Sequence, residues 1–271
     1  MKRQNKNIES ANRIVIKIGT STLTYENGSL NLNRIEKIAR SISDLMNSGK
    51  KVVLVSSGAI GAGVGKMNLK ERPKTIREKQ AAASVGQVTL MNIYSKMFGE
   101  YGYDVGQILL TRDVIECERS KNNVVNTFDT LIEHNILPIV NENDSVSIDE
   151  IENVARFGDN DNLAAIVSNI INADLLIILS DIDGFYDCDP RKNPDAKLIK
   201  EVKGITDEIA SCAEGAGSNL GTGGMETKVK AAKIVTKNGI NMILANGKDP
   251  SVLVDIANGE EIGTLFCKVD K

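Results

Sequence analysis

The sequence predicts an α/β fold with a mainly parallel sheet covered by helices on both faces. Three features predict it: short, almost wholly apolar runs; helix-period stretches between them; and clusters of Gly, Ser, Asn and Asp just past the ends of the runs. A strand buried on both faces reads as a continuous apolar run, whereas a half-exposed one alternates.

Ile14 to Ile18, interrupted only by Lys17, and Lys51 to Val55 are the first two expected strands. Between them Leu32, Ile35, Ile38, Ala39, Ile42, Leu45 and Met46 recur at helical spacing, and Gly49 is placed to cap the helix. The alternation continues with a helix around Thr75 to Phe98, a strand near Val105 to Leu110, a helix near Asn122 to His134 and a strand near Ile136 to Val140. A loop from Asn141 to Gly158 leads to a helix near Asn162 to Ile171 and the strand Leu175 to Leu179. A last helix, Met225 to Asn238, precedes strands at Asn241 to Leu244 and Thr264 to Cys267.

With 271 residues, no long linker and no repeat, the chain is expected to form one domain with two lobes, the first dozen residues and the last few being disordered. A net charge of −3 provides no broad footprint for nucleic acid, so any anion site must be local. Apolar runs such as Leu175 to Leu179 are too short to cross a bilayer, and Met1 to Arg13 lacks the apolar stretch of a signal peptide. A soluble, cytoplasmic protein with neither membrane nor nucleic-acid partner is expected. Cys117, Cys188, Cys212 and Cys267 form no C-x-x-C pair and read as free thiols; no metal ligand set is expected. His134, the only histidine, falls at a helix end, an ordinary place for a cap.

In open α/β sheets ligands gather beyond the carboxyl ends of the strands, and the distinctive residues collect there. The first strand delivers Lys17-Ile18-Gly19-Thr20-Ser21, and the second delivers Ser56-Ser57-Gly58-Ala59-Ile60-Gly61-Ala62-Gly63, a Gly-rich turn. Taken singly, each has a bland explanation, a solvated lysine or a tight turn. Gly61 to Lys66 is not a dinucleotide fingerprint, because its sixth position is lysine. Asn141-Glu142-Asn143-Asp144 and Gly158-Asp159-Asn160-Asp161-Asn162 concentrate carboxylates and amides. Asx turns and a helix N-cap explain part of each stretch but not such density in both. Carboxylates that receive an ammonium group and amides that donate to a carboxylate suit an amino-acid ligand. The alternate ligand spacing of an EF-hand is absent.

Gly221-Thr222-Gly223-Gly224-Met225-Glu226-Thr227-Lys228 is the sharpest local signal. It opens a helix, where free backbone amides and the positive helix end suit phosphate oxygens, with Lys228 one turn inside. The order fails that of a Walker A loop. Ser180-Asp181 follows a strand and could contact a ribose or adenine, and Gly184 to Arg191 could enclose the base.

Together with Ile16 to Ser21, Ser56 to Ile60 and Asp189-Pro190-Arg191, these segments resemble the ordered motifs of the glutamate 5-kinase branch of the amino-acid kinase family, from about Arg13 to Phe266. The resemblance implies a three-layer α/β/α sandwich, with a substrate lobe at about 13–172 and a nucleotide lobe at about 173–268. It implies ATP-dependent phosphorylation of the L-glutamate side-chain carboxylate, the first step of proline biosynthesis. Ser57, Asp144 and Asn160 would bind glutamate. Lys17, Ser180, Asp181, Thr222, Gly223, Gly224, Met225, Glu226, Thr227 and Lys228 would bind ATP, with Mg2+ held mainly through the nucleotide phosphates. Lys17, Asp161 and Lys228 would be the catalytic set, the lysines flanking the moving phosphoryl group and Asp161 orienting them. A homo-oligomer, dimer or tetramer, and coupling to glutamyl phosphate reductase are implied as well. The additional C-terminal PUA module of many members is not expected here, and Ser145 to Phe157 is longer than the family pattern. Other acceptors on the same fold are N-acetylglutamate, carbamate, a nucleotide and aspartate. An acetylated acceptor lacks the ammonium group that Asp144 would receive. A regulator that binds without turnover is the remaining alternative, against which the retention of Lys17, Asp161 and Lys228 argues.

Overall fold

Period-two alternation in the buried strands decides which side chains meet which helical layer. Along β1 (Arg13–Ile18), Val15 faces one layer while Ile14, Ile16 and Ile18 face the other, and β5 (Leu175–Ser180) splits in the same way. The result is two separate cores on opposite faces of one sheet, the α/β/α sandwich expected. The computed structural model describes residues 5–25, 29–69, 71–146, 159–206, 209, 212 and 224–269.

The remaining strands are β2 (Lys51–Ser56), β3 (Val105–Leu110), β4 (Leu137–Glu142), β6 (Phe185–Tyr186), β7 (Leu198–Ile199), β8 (Glu201–Val202), β9 (Asn241–Asn246) and β10 (Thr264–Phe266). The main sheet has the order β3-β4-β2-β1-β5-β9-β10-β8, and among these pairs only β10 with β9 is antiparallel. The chain goes outward from β1 to β2 and on to the edge strand β3, comes back to insert β4 between β3 and β2, then lays β5 on the other side of β1. The carboxyl ends of β1 and β5 therefore flank the switch point, where open sheets leave a crevice.

One face carries α7 (Glu118–Glu133), α8 (Asn160–Ile170) and α9 (Met225–Lys237); the other carries α1 (Lys6–Glu9), α3 (Leu32–Asn47), α4 (Ala59–Lys66), α5 (Ile76–Gly99) and α10 (Val252–Ala257). Short helices α2 (Thr20–Leu23) and α6 (Arg112–Glu116) are also present. Several starts obey local rules. Asn31 accepts from Arg34 N to open α3, and Thr75 with Glu78 forms a reciprocal capping box on α5.

Two expectations are corrected. The amino-terminal segment is not disordered from residue 5 onward: Ile8 is buried and Asn5 N donates to Gly259 O, so an apolar anchor outweighs the polar composition around it. The Gly-rich turn after β2 is instead helix α4. Its glycines disfavour a helix in isolation, but they let α4 lie against α5 at backbone contact. A Cβ on Gly63 would fall 1.8 Å from Ala82 O, and one on Gly86 would fall 1.7 Å from Ala59 O. Close packing across a stripe of small residues overrides propensity here.

Candidate active site

Gly58, at φ 96°, turns the chain from β2 into α4. A left-handed residue at this position admits glycine with least strain, and the turn leaves Ser57 at the carboxyl end of β2, where its N–H donates to Ile18 O 3.1 Å away. On the other side of β2, β4 delivers buried Asn141 at its own carboxyl end. Asp159 then fixes where α8 begins: its carboxylate accepts from Asp161 N at 2.7 Å and Asn162 N at 2.9 Å. That cap sets Asn160 and Asp161 into the first turn, aimed at the strand ends.

Asn160 gives its two amide hydrogens to Ser57 Oγ at 2.8 Å and Asn141 Oδ1 at 2.9 Å, and Asn141 Nδ2 donates to Gln87 Oε1 at 3.0 Å. Ser57 accepts from Asn160, so its own hydroxyl proton is left to donate to a ligand. Asp144 lies three residues past Asn141, in the turn that ends β4 at the same edge of the sheet.

Asp161 is fully buried between two cations. Lys17 Nζ of β1 lies 2.5 Å from Oδ1, and Lys228 Nζ of α9 lies 3.1 Å from Oδ2. Thr227 Oγ1 is 2.8 Å from Oδ2 and 2.8 Å from Gly224 O, and its single proton serves one of them at a time. Burial by itself raises the Asp161 pKa, but the charges of Lys17 and Lys228 and the hydrogen bonds from Lys17 and Thr227 outweigh it and hold the carboxyl well below the usual range. Asp159 moves the other way, raised by its burial and then by the neighbouring Asp161 charge. The strand register explains Lys17: it shares the face of Val15, toward α8, where Asp161 lies.

Next to Lys228 a cleft of about 340 Å3 is lined by Ser180, Asp181, Ile182, Tyr186, Met225 and Lys228, among others. Its apolar walls suit a planar base, and Ser180 and Asp181 provide polar edges. Ser180 donates to Asp181 Oδ1 at 3.0 Å. Gly224 and Met225 also line the cleft, at the start of α9.

The structure thus brings Lys17, Asp161, Lys228 and Thr227 into direct contact, joins Asn160 to Ser57, and gathers Ser180, Asp181, Gly224 and Met225 around one cleft. Glu226 does otherwise: it pairs with Lys230 at 2.6 Å on the exposed face of α9. Thr222 and Gly223 lie outside the described residues, as do residues 147–158 of the lengthened loop. Sequence reasoning missed Gln87, Asn141 as the hub of the amide chain, and Asn246 at the cleft edge. Gln87 lies 54 residues from Asn141 in a helix without a motif, so no local signal marks it.

A helix that starts at the wall of a cleft, a switch-point crevice and a lysine–aspartate–lysine clasp fit a small-molecule kinase of α/β/α architecture. Residues 12–246 match the amino acid kinase family, and the chain belongs to it. It is 68% identical over 261 residues to a glutamate 5-kinase of Clostridium perfringens, covering 96% of this chain and 97% of that protein. It is 55% identical over the whole of both chains to a glutamate 5-kinase of Clostridium acetobutylicum. Among solved structures, carbamate kinase from Giardia lamblia bound to AMP-PNP shares the fold at a TM-score of 0.67 and 19% identity, covering 96% of this chain and 100% of that one.

Proposed function

We propose that this chain transfers the γ-phosphoryl group of ATP to the side-chain carboxylate of L-glutamate, giving L-glutamyl 5-phosphate and committing glutamate to proline synthesis. The observation that carries this reading is the buried Asp161 held between Lys17 and Lys228, next to the Asn160–Ser57 pair. The high identity to glutamate 5-kinases over nearly the full chain supports the choice of acceptor.

The acceptor needs no protein base. A glutamate side chain, with a reference pKa of about 4.3, is already an anionic nucleophile at neutral pH. The chemical problem is to bring two anions together and to stabilise charge on the moving phosphoryl group. Lys17 and Lys228 supply two ammonium groups, and Asp161 holds both in place before substrate arrives. Ser57 donates to the substrate α-carboxylate, Asn160 orients Ser57, and Asp144 receives the ammonium group. Ser180 and Asp181 hold the ribose side of ATP, while Thr222, Gly223, Gly224, Met225 and Thr227 surround its phosphates. Glu226, turned toward Lys230, contributes through its backbone.

Magnesium fits this site as a companion of the nucleotide. Both oxygens of Asp161 face ammonium groups, and among the described residues no group of three His, Cys, Asp or Glu side chains is gathered to hold a cation. The ion would be held chiefly by phosphate oxygens and water, consistent with its reluctance to dehydrate, and would neutralise phosphate charge there.

The sheet half β3-β4-β2-β1 forms the acceptor lobe, about residues 13–172, and the half from β5 onward forms the nucleotide lobe, about 173–268. A homo-oligomer belongs to the same proposal; exposed Val85 and Val88 on α5 support it. Coupling to glutamyl phosphate reductase would spare a labile acyl phosphate from cyclising. No described helix is long and apolar enough to cross a membrane, which accords with a cytoplasmic site of action. The test is mass-spectrometric detection of glutamyl 5-phosphate, or its cyclised product, after incubation with ATP, magnesium and glutamate. Turnover of N-acetylglutamate, carbamate or aspartate with no glutamate product would overturn the assignment.

A further inference from the structure

A second cavity, of about 330 Å3, shares Ser180, Asp181 and Asn246 with the nucleotide cleft and none of its other walls. It lies beyond α2 and the start of α3, and neither Lys17 nor Lys228 lines it. Its charged side chains are Arg34, Arg72 and Lys248 against the single carboxylate Asp181. In a chain of net charge −3 this local excess of cations is not a by-product of composition.

The walls are organised as well as charged. Arg34 is fixed from both ends: its backbone N–H donates to the Asn31 cap, and Nη1 donates to Ser21 O at 3.2 Å. A guanidinium has five N–H donors in a planar fork, so further donors remain for a ligand. Ser21 and buried Thr22 bring hydroxyls to the wall, whereas the Thr24 hydroxyl gives its proton to Thr20 O at 3.0 Å. Behind Thr22 the backbone packs closely: a Cβ on Gly247 would lie 3.0 Å from Thr22 Oγ1. Lys248 stands at the rim, exposed, and among the described residues no carboxylate pairs with its ammonium group.

We propose that this cavity is a second binding site, for a small multivalent oxyanion of the phosphate class, separate from the site of phosphoryl transfer. The remaining donors of Arg34, the positive charges of Arg72 and Lys248 and the hydroxyls of Ser21 and Thr22 match several phosphate oxygens at once. Because Ser180, Asp181 and Asn246 wall both cavities, occupancy of one is linked to affinity in the other, and the linkage is reciprocal.

The test is calorimetric titration of the full chain with inorganic pyrophosphate while the nucleotide cleft is saturated with a non-hydrolysable ATP analogue and magnesium. Wild-type protein is expected to bind, and Lys248→Gln and Arg72→Gln, each at an exposed position, are expected to weaken binding at least about tenfold while the Tm stays within a degree or so of wild type. Citrate is the control for polycarboxylates and is expected to bind more weakly. Absence of pyrophosphate binding, affinity unchanged in both variants, binding lost once the analogue fills the nucleotide cleft, or citrate binding as tightly as pyrophosphate would each overturn the proposal. Titration of the analogue with and without pyrophosphate reads the linkage, and identical affinities would overturn that part.

Discussion

Replacing Asp161 by asparagine removes one buried negative charge while keeping size and most hydrogen-bonding capacity. Unit charges about 4 Å apart attract by about 4 kcal/mol at an effective dielectric of about 20, and Asp161 has two such partners in Lys17 and Lys228. Desolvation offsets much of that attraction in the intact site. Loss of the anion leaves two buried ammonium groups facing each other, and breaking a buried pair in this way costs about 3–5 kcal/mol. Urea denaturation of Asp161→Asn should therefore show a midpoint well below wild type. Its kcat should fall about 100-fold or more, because neither lysine is held where charge develops. The pH profile provides an independent check. The folded pKa of Asp161 is depressed below the unfolded value of about 3.9, so its contribution to stability is complete above about pH 4 and is lost as pH falls further. Wild-type stability should drop steeply below pH 4, and Asp161→Asn should lack that component. A variant within about 1 kcal/mol of wild type, with unchanged kcat and the same acid profile, would refute the lysine–aspartate–lysine account.

Lys228→Ala should lower kcat about 10^2–10^3-fold while glutamate still binds, as expected of a cation that acts mainly in the transition state; steady-state kinetics with calorimetry separates the two. Asp144→Ala should raise the KM for glutamate roughly 10–100-fold, the loss expected of one charged hydrogen bond, with little change in ATP affinity by titration. Gly86→Ala should destabilise the protein by about 3 kcal/mol, since its methyl group would meet Ala59 O at 1.7 Å and α4 would have to move; differential scanning calorimetry should record a Tm lower by several degrees.

Much of the frame was legible because it follows from short-range rules. Apolar runs located β1, β2, β3 and β5 within a residue or so, and the helical stretch expected from around Thr75 to Phe98 is α5. Segments that meet at the candidate site were legible too, since Gly, Ser, Asn and Asp clusters at strand ends stand out against apolar neighbours. The α4 helix was not, because its glycines report low propensity and only contact with α5 reverses it.

By itself the sequence determined that a lysine interrupts the first buried strand, that acidic and amide residues crowd the start of one helix, and that a glycine-rich segment opens another. Only the tertiary structure decided that Lys17 and Lys228 take opposite oxygens of Asp161, 67 residues before Lys228, and that Gln87 backs Asn141. The physical reason is range: propensity and capping act over about one helical turn. Strand order brings distant segments to one edge, and it is set by which buried faces fit together across the whole sheet.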